Sequence, residues 1–460
     1  MGMYLNSKAP YEMYKKVIQD PYFVDKSLLL TELIPVFNSV NCYCCITRPR
    51  RFGKTIMANM IGAFFGKIDR KDRIFDQLAI SEQSEYQSHL NRHDVIYIDF
   101  SRAPKGCKSY SQYITRIENG IMDDLIAIYE NCGLSKDDSA WDALQKIYEQ
   151  TDGKFMFVLD EWDAVFHMPF ISREDQQEYL LFLKWLLKDQ PYIEFAYMTG
   201  VLPIAKYSSG SELNMFAEYD MVSSEKFSEY FGFSDAEVDN LYKAYQRKEP
   251  IAKFSREELR LWYDGYYTAT GRRLYNPRSV VLALTDSQLR NYWTSSGPYD
   301  ELFHYIRNNI DDIRDELVLL VSGERVPTQI GQFSASSMEI HSREQIYSAM
   351  VIYGLLTYDG GAVLIPNKEL MDKFNELLLS KESLGYVYNL ARKSEQMLQA
   401  TKNGDTKRME EILQFAHDTE APILAYNNEV ELSSIINLCY LSARNRYWVE
   451  REEKAGQRKG

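Results

Sequence analysis

The sequence predicts an α/β fold in which a parallel sheet is covered on both faces by helices. Three observations predict it. Short apolar runs alternate with amphipathic stretches over roughly the first two hundred residues, Gly53-Lys54-Thr55 follows the first run, and Asp160-Glu161 follows the third. Buried strands alternating with helices mark a parallel sheet, whose ligands gather at the carboxyl ends of the strands.

The elements follow in order. Cys42–Thr47 (CYCCIT) is a short apolar run, and Ile56–Phe65 behind it has the length and apolar content of a helix. Val95–Phe100 (VIYIDF) reads as a second buried strand. Tyr110–Glu130 then places Ile114, Ile117, Ile121, Leu125 and Ile128 on one side of a helix. Phe155–Leu159 is the third strand; after a helix over Asp175–Lys188, Ile193–Met198 is the fourth and ends at Thr199-Gly200. Three polar groups at three strand ends thus point to one site.

Beyond about residue 205 the pattern becomes helical and rich in tyrosine, over Asp235–Arg247, Arg256–Trp262, Pro277–Leu284, Tyr299–Arg314 and Gln345–Tyr353. Leu355–Pro366 reads as two strands around an Asp-Gly-Gly turn. Helices followed by a hairpin predict a winged-helix-like unit. No internal repeat or low-complexity tract interrupts the chain.

A chain of 460 residues is too long for one core, and about three domains are expected. The net charge of -13 argues against a body that coats nucleic acid through charge alone. The basic end, Arg444–Gly460, carries its own acids and reads as a mixed, solvated surface. Cys42, Cys44 and Cys45 fit neither a disulfide framework nor paired zinc knuckles, and read as small apolar strand residues. His89 and His93 stand four apart without a neighbouring Glu or third ligand, which predicts a surface pair and no zinc site. The first residues lack the apolar core of a signal peptide, and Asn6 stands where myristoylation requires Ser or Thr. The apolar stretch Tyr179–Leu187, broken by Lys184, is too short for a bilayer, so no membrane contact and a cytoplasmic location are expected.

The chemistry rests on the strand ends. A nucleoside triphosphate needs converging backbone N–H groups, a lysine across its outer phosphates and a hydroxyl toward Mg²⁺. Gly53, Lys54 and Thr55 supply these at a helix start, whose dipole also favours an anion. Asp160 fits the Mg²⁺ carboxylate and Glu161 the base or orienting group for a water that attacks the terminal phosphate, while Thr199 could sense that phosphate. Asp163 fits two roles, an orienting group behind the site or a helix cap.

The motifs YFVDKSLLLTELI (Tyr22–Ile34), RPRRFGKT (Arg48–Thr55), VIYIDFS (Val95–Ser101), VLDEWD (Val158–Asp163), TGV (Thr199–Val201), FGFSDAEV (Phe231–Val238), WYDGY (Trp262–Tyr266) and YNPRSV (Tyr275–Val280) occur in this order. Together they resemble the prokaryotic AAA-ATPase-like family from residue 4 to about residue 375. The resemblance implies a P-loop NTPase core of the additional-strand class with ATP and Mg²⁺ as ligands. Preference for ATP over GTP follows from it, and the chain shows no N-K-x-D guanine signature. It also accounts for Arg48 where a phosphate loop more often has glycine. Arg48, Pro49, Arg50, Arg51, Phe52, Gly53, Lys54, Thr55 and Ile56 are then the expected nucleotide-lining residues, with Arg51 the arginine expected at the terminal phosphate.

Family members usually carry a PD-(D/E)xK nuclease-like domain behind the ATPase. Here Ala421–Asn445 resembles its first helix, with Glu429 or Glu431 in the acidic position, and Tyr447–Glu452 reads as a strand. The chain stops where the next strand would bring the Asp, so a truncated segment without nuclease activity is expected. The expected domains are 1–230 for the ATPase core, 231–375 for the helical and winged-helix-like region, and 376–460 for linker helices and the partial nuclease-like segment.

Two functional readings follow. In one, hydrolysis of ATP switches or drives the attached C-terminal module. In the other, ATP is held without turnover while the winged-helix-like region binds nucleic acid or a protein partner. Glu161 favours the first, because a pure binder needs no base beside the Mg²⁺ carboxylate. The sequence leaves the oligomeric state open.

Overall fold

β1 (Tyr43–Thr47), β2 (Asp94–Asp99), β3 (Phe155–Asp160), β4 (Ile193–Gly200) and β5 (Ala217–Tyr219) form one sheet in the order β2-β3-β4-β1-β5. Every pairing in it is parallel. The computed structural model describes residues 2–68, 72–204, 212–293, 310–330, 342–380, 386–418 and 429–445. β4 lies between β1 and β3. That inserted strand is what the additional-strand class requires, and it sets the spacing of the site. Thr47 pairs with Gly200 and Leu159 with Met198, so the residues that follow β1, β3 and β4 emerge together at one edge.

β1 and β3 are buried along their whole length, as strands sandwiched between helices must be. Cys42, Cys44 and Cys45 are buried free thiols within the same core. On the outer edge of β2, Asn6 N donates to Val95 O at 2.8 Å and Tyr97 N to Tyr4 O at 3.0 Å. The Asp124 carboxylate accepts from the N–H groups of Met3, Tyr4 and Leu5, fixing this cover in place. An open edge is thereby paired before another chain can add to it.

Most expected elements form within a residue or two of their predicted bounds. The helix after β1 runs Lys54–Phe65, starting from Gly53 at φ 92°. A helix at Ala140–Thr151 was not anticipated, although Ser139 caps Asp142 N and Ala140, Ala143, Leu144 and Ile147 share its buried face. β5 also escaped notice, since three residues with a polar centre carry no period.

In the second half, helices Asp235–Lys248 and Arg256–Tyr263 each open with a capping box, Ser234 with Glu237 and Ser255 with Glu258. β6 (Tyr266–Tyr267) and β7 (Arg273–Leu274) pair antiparallel before helix Pro277–Asp286. The next described helix, Ile310–Val321, extends past the expected end at Arg314; the start of that expected segment lies outside the described residues. β8 (Val326–Pro327), β9 (Thr357–Asp359) and β10 (Ala362–Leu364) form an antiparallel sheet in the order β8-β10-β9, with helix Arg343–Ile352 preceding the β9–β10 hairpin. Helices Lys368–Ser380, Tyr386–Asn403, Thr406–Asp418 and Glu429–Cys439 complete the chain as described. The strand expected at 447–452 lies outside the described residues, as do the side chains of Glu429 and Glu431. No described helix is long and apolar enough to cross a membrane.

The expected surface pair of histidines needs correction. His89 Nδ1 lies 2.9 Å from His93 Nε2 with the rings stacked, and His93 Nδ1 lies 2.9 Å from Glu194 Oε2. The pair is half-buried against Phe37 and Phe65, and β4 brings a carboxylate that sequence spacing alone does not reveal. Among the described residues no group of three His, Cys, Asp or Glu could hold a metal. Burial first, and His93 second, keep His89 below its ordinary pKa. As pH falls below about 6.5 the unfolded chain therefore takes up this proton before the folded one does. Stability is full above that value and declines below it. The drop in thermal midpoint from about pH 7 to about pH 5.5 should be smaller in His89→Gln than in wild type; equal drops would show that His89 does not contribute.

Candidate functional site

Six residues, Arg48 to Gly53, join β1 to the helix at Lys54. Arg48 N donates to Gly200 O at 3.2 Å, tying the start of this loop to the end of β4. The Arg48 side chain, expected on the nucleotide, turns inward instead. Its Nη1 donates to Thr47 O at 2.8 Å and to Tyr219 O at 2.7 Å, and the guanidinium lies 5.2 Å from the Phe231 ring centroid. The end of an edge strand leaves a carbonyl to satisfy, and Arg48 does so from within the core. Burial lowers its pKa to about 10, so it stays charged near neutral pH.

Pro49 has no N–H, so beyond Arg48 the loop's N–H groups begin at Arg50. Arg51 sits at φ 71° and Gly53 at φ 92°. Gly53 has open space where a Cβ would stand, so its left-handed backbone, not crowding, requires glycine. Phe52 is buried and meets Tyr266 edge-on at 5.0 Å, so its backbone alone remains for a ligand. Ile56, one turn into the helix, packs against the first core.

Lys54 is 4% exposed, and its Nζ donates to Arg48 O at 2.9 Å and Pro49 O at 3.1 Å. Burial lowers its pKa, against the attraction of Glu161, Asp163 and Asp160. Thr55, the next residue, is exposed, and its side chain works against the rise in the Asp160 pKa. Asp160 is buried; its Oδ2 accepts from Tyr97 OH at 3.4 Å, while its Oδ1 has no partner. Desolvation, then the charges of Glu161 and of Asp99, push its pKa up to about 7. A buried carboxylate oxygen without a donor is unfavourable unless something positive arrives.

Glu161 ends the strand at φ 53°, a left-handed backbone that costs a non-glycine residue on the order of 1–2 kcal/mol. Thr199, on the strand between, is fully buried with an unpartnered hydroxyl. Asp163 turns out to orient the backbone, for its Oδ2 accepts from Val201 N at 3.0 Å and Leu202 N at 2.8 Å just past Thr199. Gly200 fits because a Cβ there would come within 2.6 Å of Asp163 and Trp162. The fold therefore groups Lys54, Thr55, Asp160, Glu161 and Thr199 at neighbouring strand ends, and directs the side chains of Arg48 and Phe52 elsewhere. Sequence reasoning missed Tyr97 and Asp99, which stand at the end of β2 and are brought to Asp160 by the Asp99–Asp160 register.

Residues 11–209 match the family described as predicted AAA-ATPase. Over those residues, less than half of the chain, it is similar to that family. A curated relative, an uncharacterized protein from the vnfD 5′ region of Azotobacter chroococcum mcd 1, is 26% identical over 289 residues, which is 60% of this chain and 51% of the relative. The chain thus spans about half the length of the curated relative it matches. Among solved structures, a Walker-type ATPase of Pyrococcus abyssi aligns at 12% identity and a TM-score of 0.42, over 76% of this chain and 94% of that one. The Aeropyrum pernix ORC2 protein, in ADPNP–ADP complexes, aligns at 9% identity and a TM-score of 0.31, over 83% and 97%. The loop and strand ends above all lie within the segment that matches this family.

Glu161→Gly relieves the left-handed backbone and the repulsion from buried Asp160 but removes a charge that supports buried Lys54, so stability should rise by less than about 1 kcal/mol. Urea unfolding measures this. A loss of stability would mean that Glu161 is held by favourable contacts, not by strain.

Proposed function

We propose that the chain is a Mg²⁺-dependent ATPase whose nucleotide state acts on the C-terminal region. The observation that carries this reading is the buried pair Lys54 and Asp160 beside the exposed Thr55, in which one Asp160 carboxylate oxygen has no partner. These groups fit a hard divalent cation. Thr55 and Asp160 would hold it, and substrate oxygens and water would complete its shell. When bound, the ion neutralises charge on the outer phosphates.

The chain's own residues do the rest. Lys54 has three donors, two of them on loop carbonyls, and would extend to the outer phosphates as an anion arrives. N–H groups from Arg50 to Thr55 surround the phosphates at the positive end of the helix. Glu161 takes the proton of a water as its oxygen attacks the terminal phosphorus and the bond to the leaving diphosphate breaks. Thr199 offers its hydroxyl to the terminal phosphate, and Arg51 is the arginine assigned to it. Behind the core at 1–230, the region 231–375, with its helix and three-stranded hairpin sheet, serves as a winged-helix-like unit for nucleic acid or a protein partner.

Lys54→Ala should weaken ATP binding at least about 100-fold, since it removes the one charge buried against the phosphates. Glu161→Gln should bind ATP within about threefold of wild type yet turn it over about 100-fold more slowly. Equilibrium binding and phosphate release separate the two. Tight ATP binding by Lys54→Ala sinks the site, and wild-type turnover by Glu161→Gln sinks the base.

A further inference from the structure

The phosphate loop is seated in the second half of the molecule. Phe52 belongs to the core formed with Tyr266, Trp293, Met350 and Leu355, not to the core under the sheet. Trp293 is fully buried, and its Nε1 donates to Arg50 O at 3.0 Å. Pro49 lies against Gly354, where an added Cβ would come within 2.7 Å of Pro49 Cβ and 3.5 Å of Trp293 Cζ2. Tyr266 closes the seat by donating its hydroxyl to Gly354 O at 3.2 Å. Three successive loop carbonyls are thus held, Arg48 and Pro49 by Lys54 and Arg50 by Trp293.

Trp293 is itself fixed. Its backbone N–H donates to Glu369 Oε1 at 2.6 Å, and Glu369 Oε2 accepts from Ser279 Oγ at 2.8 Å. Glu369 is 1% exposed, so this carboxylate joins helix Pro277–Asp286 to helix Lys368–Ser380 through a buried, charge-assisted link. Any rotation of those helices is carried to Arg50, one residue before the left-handed Arg51.

We propose that Trp293 is the positioning residue through which the C-terminal region sets the shape of the phosphate loop, and through which a bound nucleotide acts back on that region. The proposal rests on the nucleotide reading of the site. Lys54 must share its donors with a phosphate when nucleotide binds, which loosens Arg48 O and Pro49 O, whereas Trp293 keeps Arg50 O. The loop then pivots about that bond and carries Pro49 and Phe52 against Gly354 and Tyr266. Linkage makes the effect reciprocal: whatever tightens the seat tightens nucleotide binding by the same factor.

The test uses the whole chain with MgATP, and reads amide exchange over residues 346–356 together with equilibrium binding. In wild type, MgATP should slow exchange in this segment. Trp293→Phe, which keeps a ring but removes the Nε1 donor, should bind MgATP about fivefold to tenfold more weakly and lose that protection. Glu369→Gln, which keeps its shape and one acceptor, should fall between the two. A merely structural role for Trp293 would lower the unfolding temperature and leave affinity and protection per bound nucleotide unchanged, which overturns the proposal. If wild type binds MgATP with no change in exchange at 346–356, the proposal fails while the nucleotide reading stands. If wild type does not bind MgATP, both fail. Should Trp293→Phe not fold, the wild-type exchange result decides alone.

Discussion

A buried ammonium at the wrong end of a helix governs this structure. Lys54 stands at the first position of the helix Lys54–Phe65, where the backbone dipole is positive, and it is almost wholly removed from water. Arg50 adds further positive charge nearby. Asp160, Glu161 and Asp163 offset part of this, and two loop carbonyls accept its hydrogen bonds. A buried charge persists only when it is paired, and here the pairing is assembled from two different strand ends, those of β1 and β3. The sheet order, the loop and the acidic residues after β3 all serve to keep that cation in place, and all of them leave it short of an anion.

Two of the polar groups that lack partners belong to the same strand ends. Asp160 Oδ1 and Thr199 Oγ1 are buried and unpartnered beside the lysine, in a core otherwise closed by Phe157, Leu159 and Met198. Arg51 and Glu161, at the same edge, are both left-handed without being glycine. Unpaired groups and strained backbone at one strand edge are the usual sign of a site shaped for a ligand at some cost to stability. The loop is held from both sides, by Lys54 from the sheet and by Trp293 from the C-terminal region, so it belongs to two cores at once.

Much of the fold was legible because β1, β3 and β4 are buried on both faces and their apolar runs have no competing pattern. Gly53-Lys54-Thr55 and Asp160-Glu161 could be placed from their position after those runs alone. β5 could not, because Ala217–Tyr219 is too short and too exposed to carry a period. The inward turn of Arg48 was hidden for a related reason: the carbonyl it satisfies belongs to Tyr219, on the strand that the sequence did not announce. Long-range pairings stayed out of reach as well. Nothing local marks Trp293 as a neighbour of Arg50, or Glu194 as a neighbour of His93; only the packed chain joins them. Asp163 illustrates the middle ground, since the sequence offered two roles and the bonds to Val201 and Leu202 show which one it fills.

The most direct measurement is the structure of the Glu161→Gln chain with MgATP. The account predicts the outer phosphates within hydrogen-bond reach of Lys54 Nζ, with the metal ion between them and the oxygens of Thr55 and Asp160, and Arg50 O still on Trp293 Nε1. A nucleotide bound elsewhere, or Lys54 still engaged only with Arg48 O and Pro49 O while ATP occupies the loop, would contradict it.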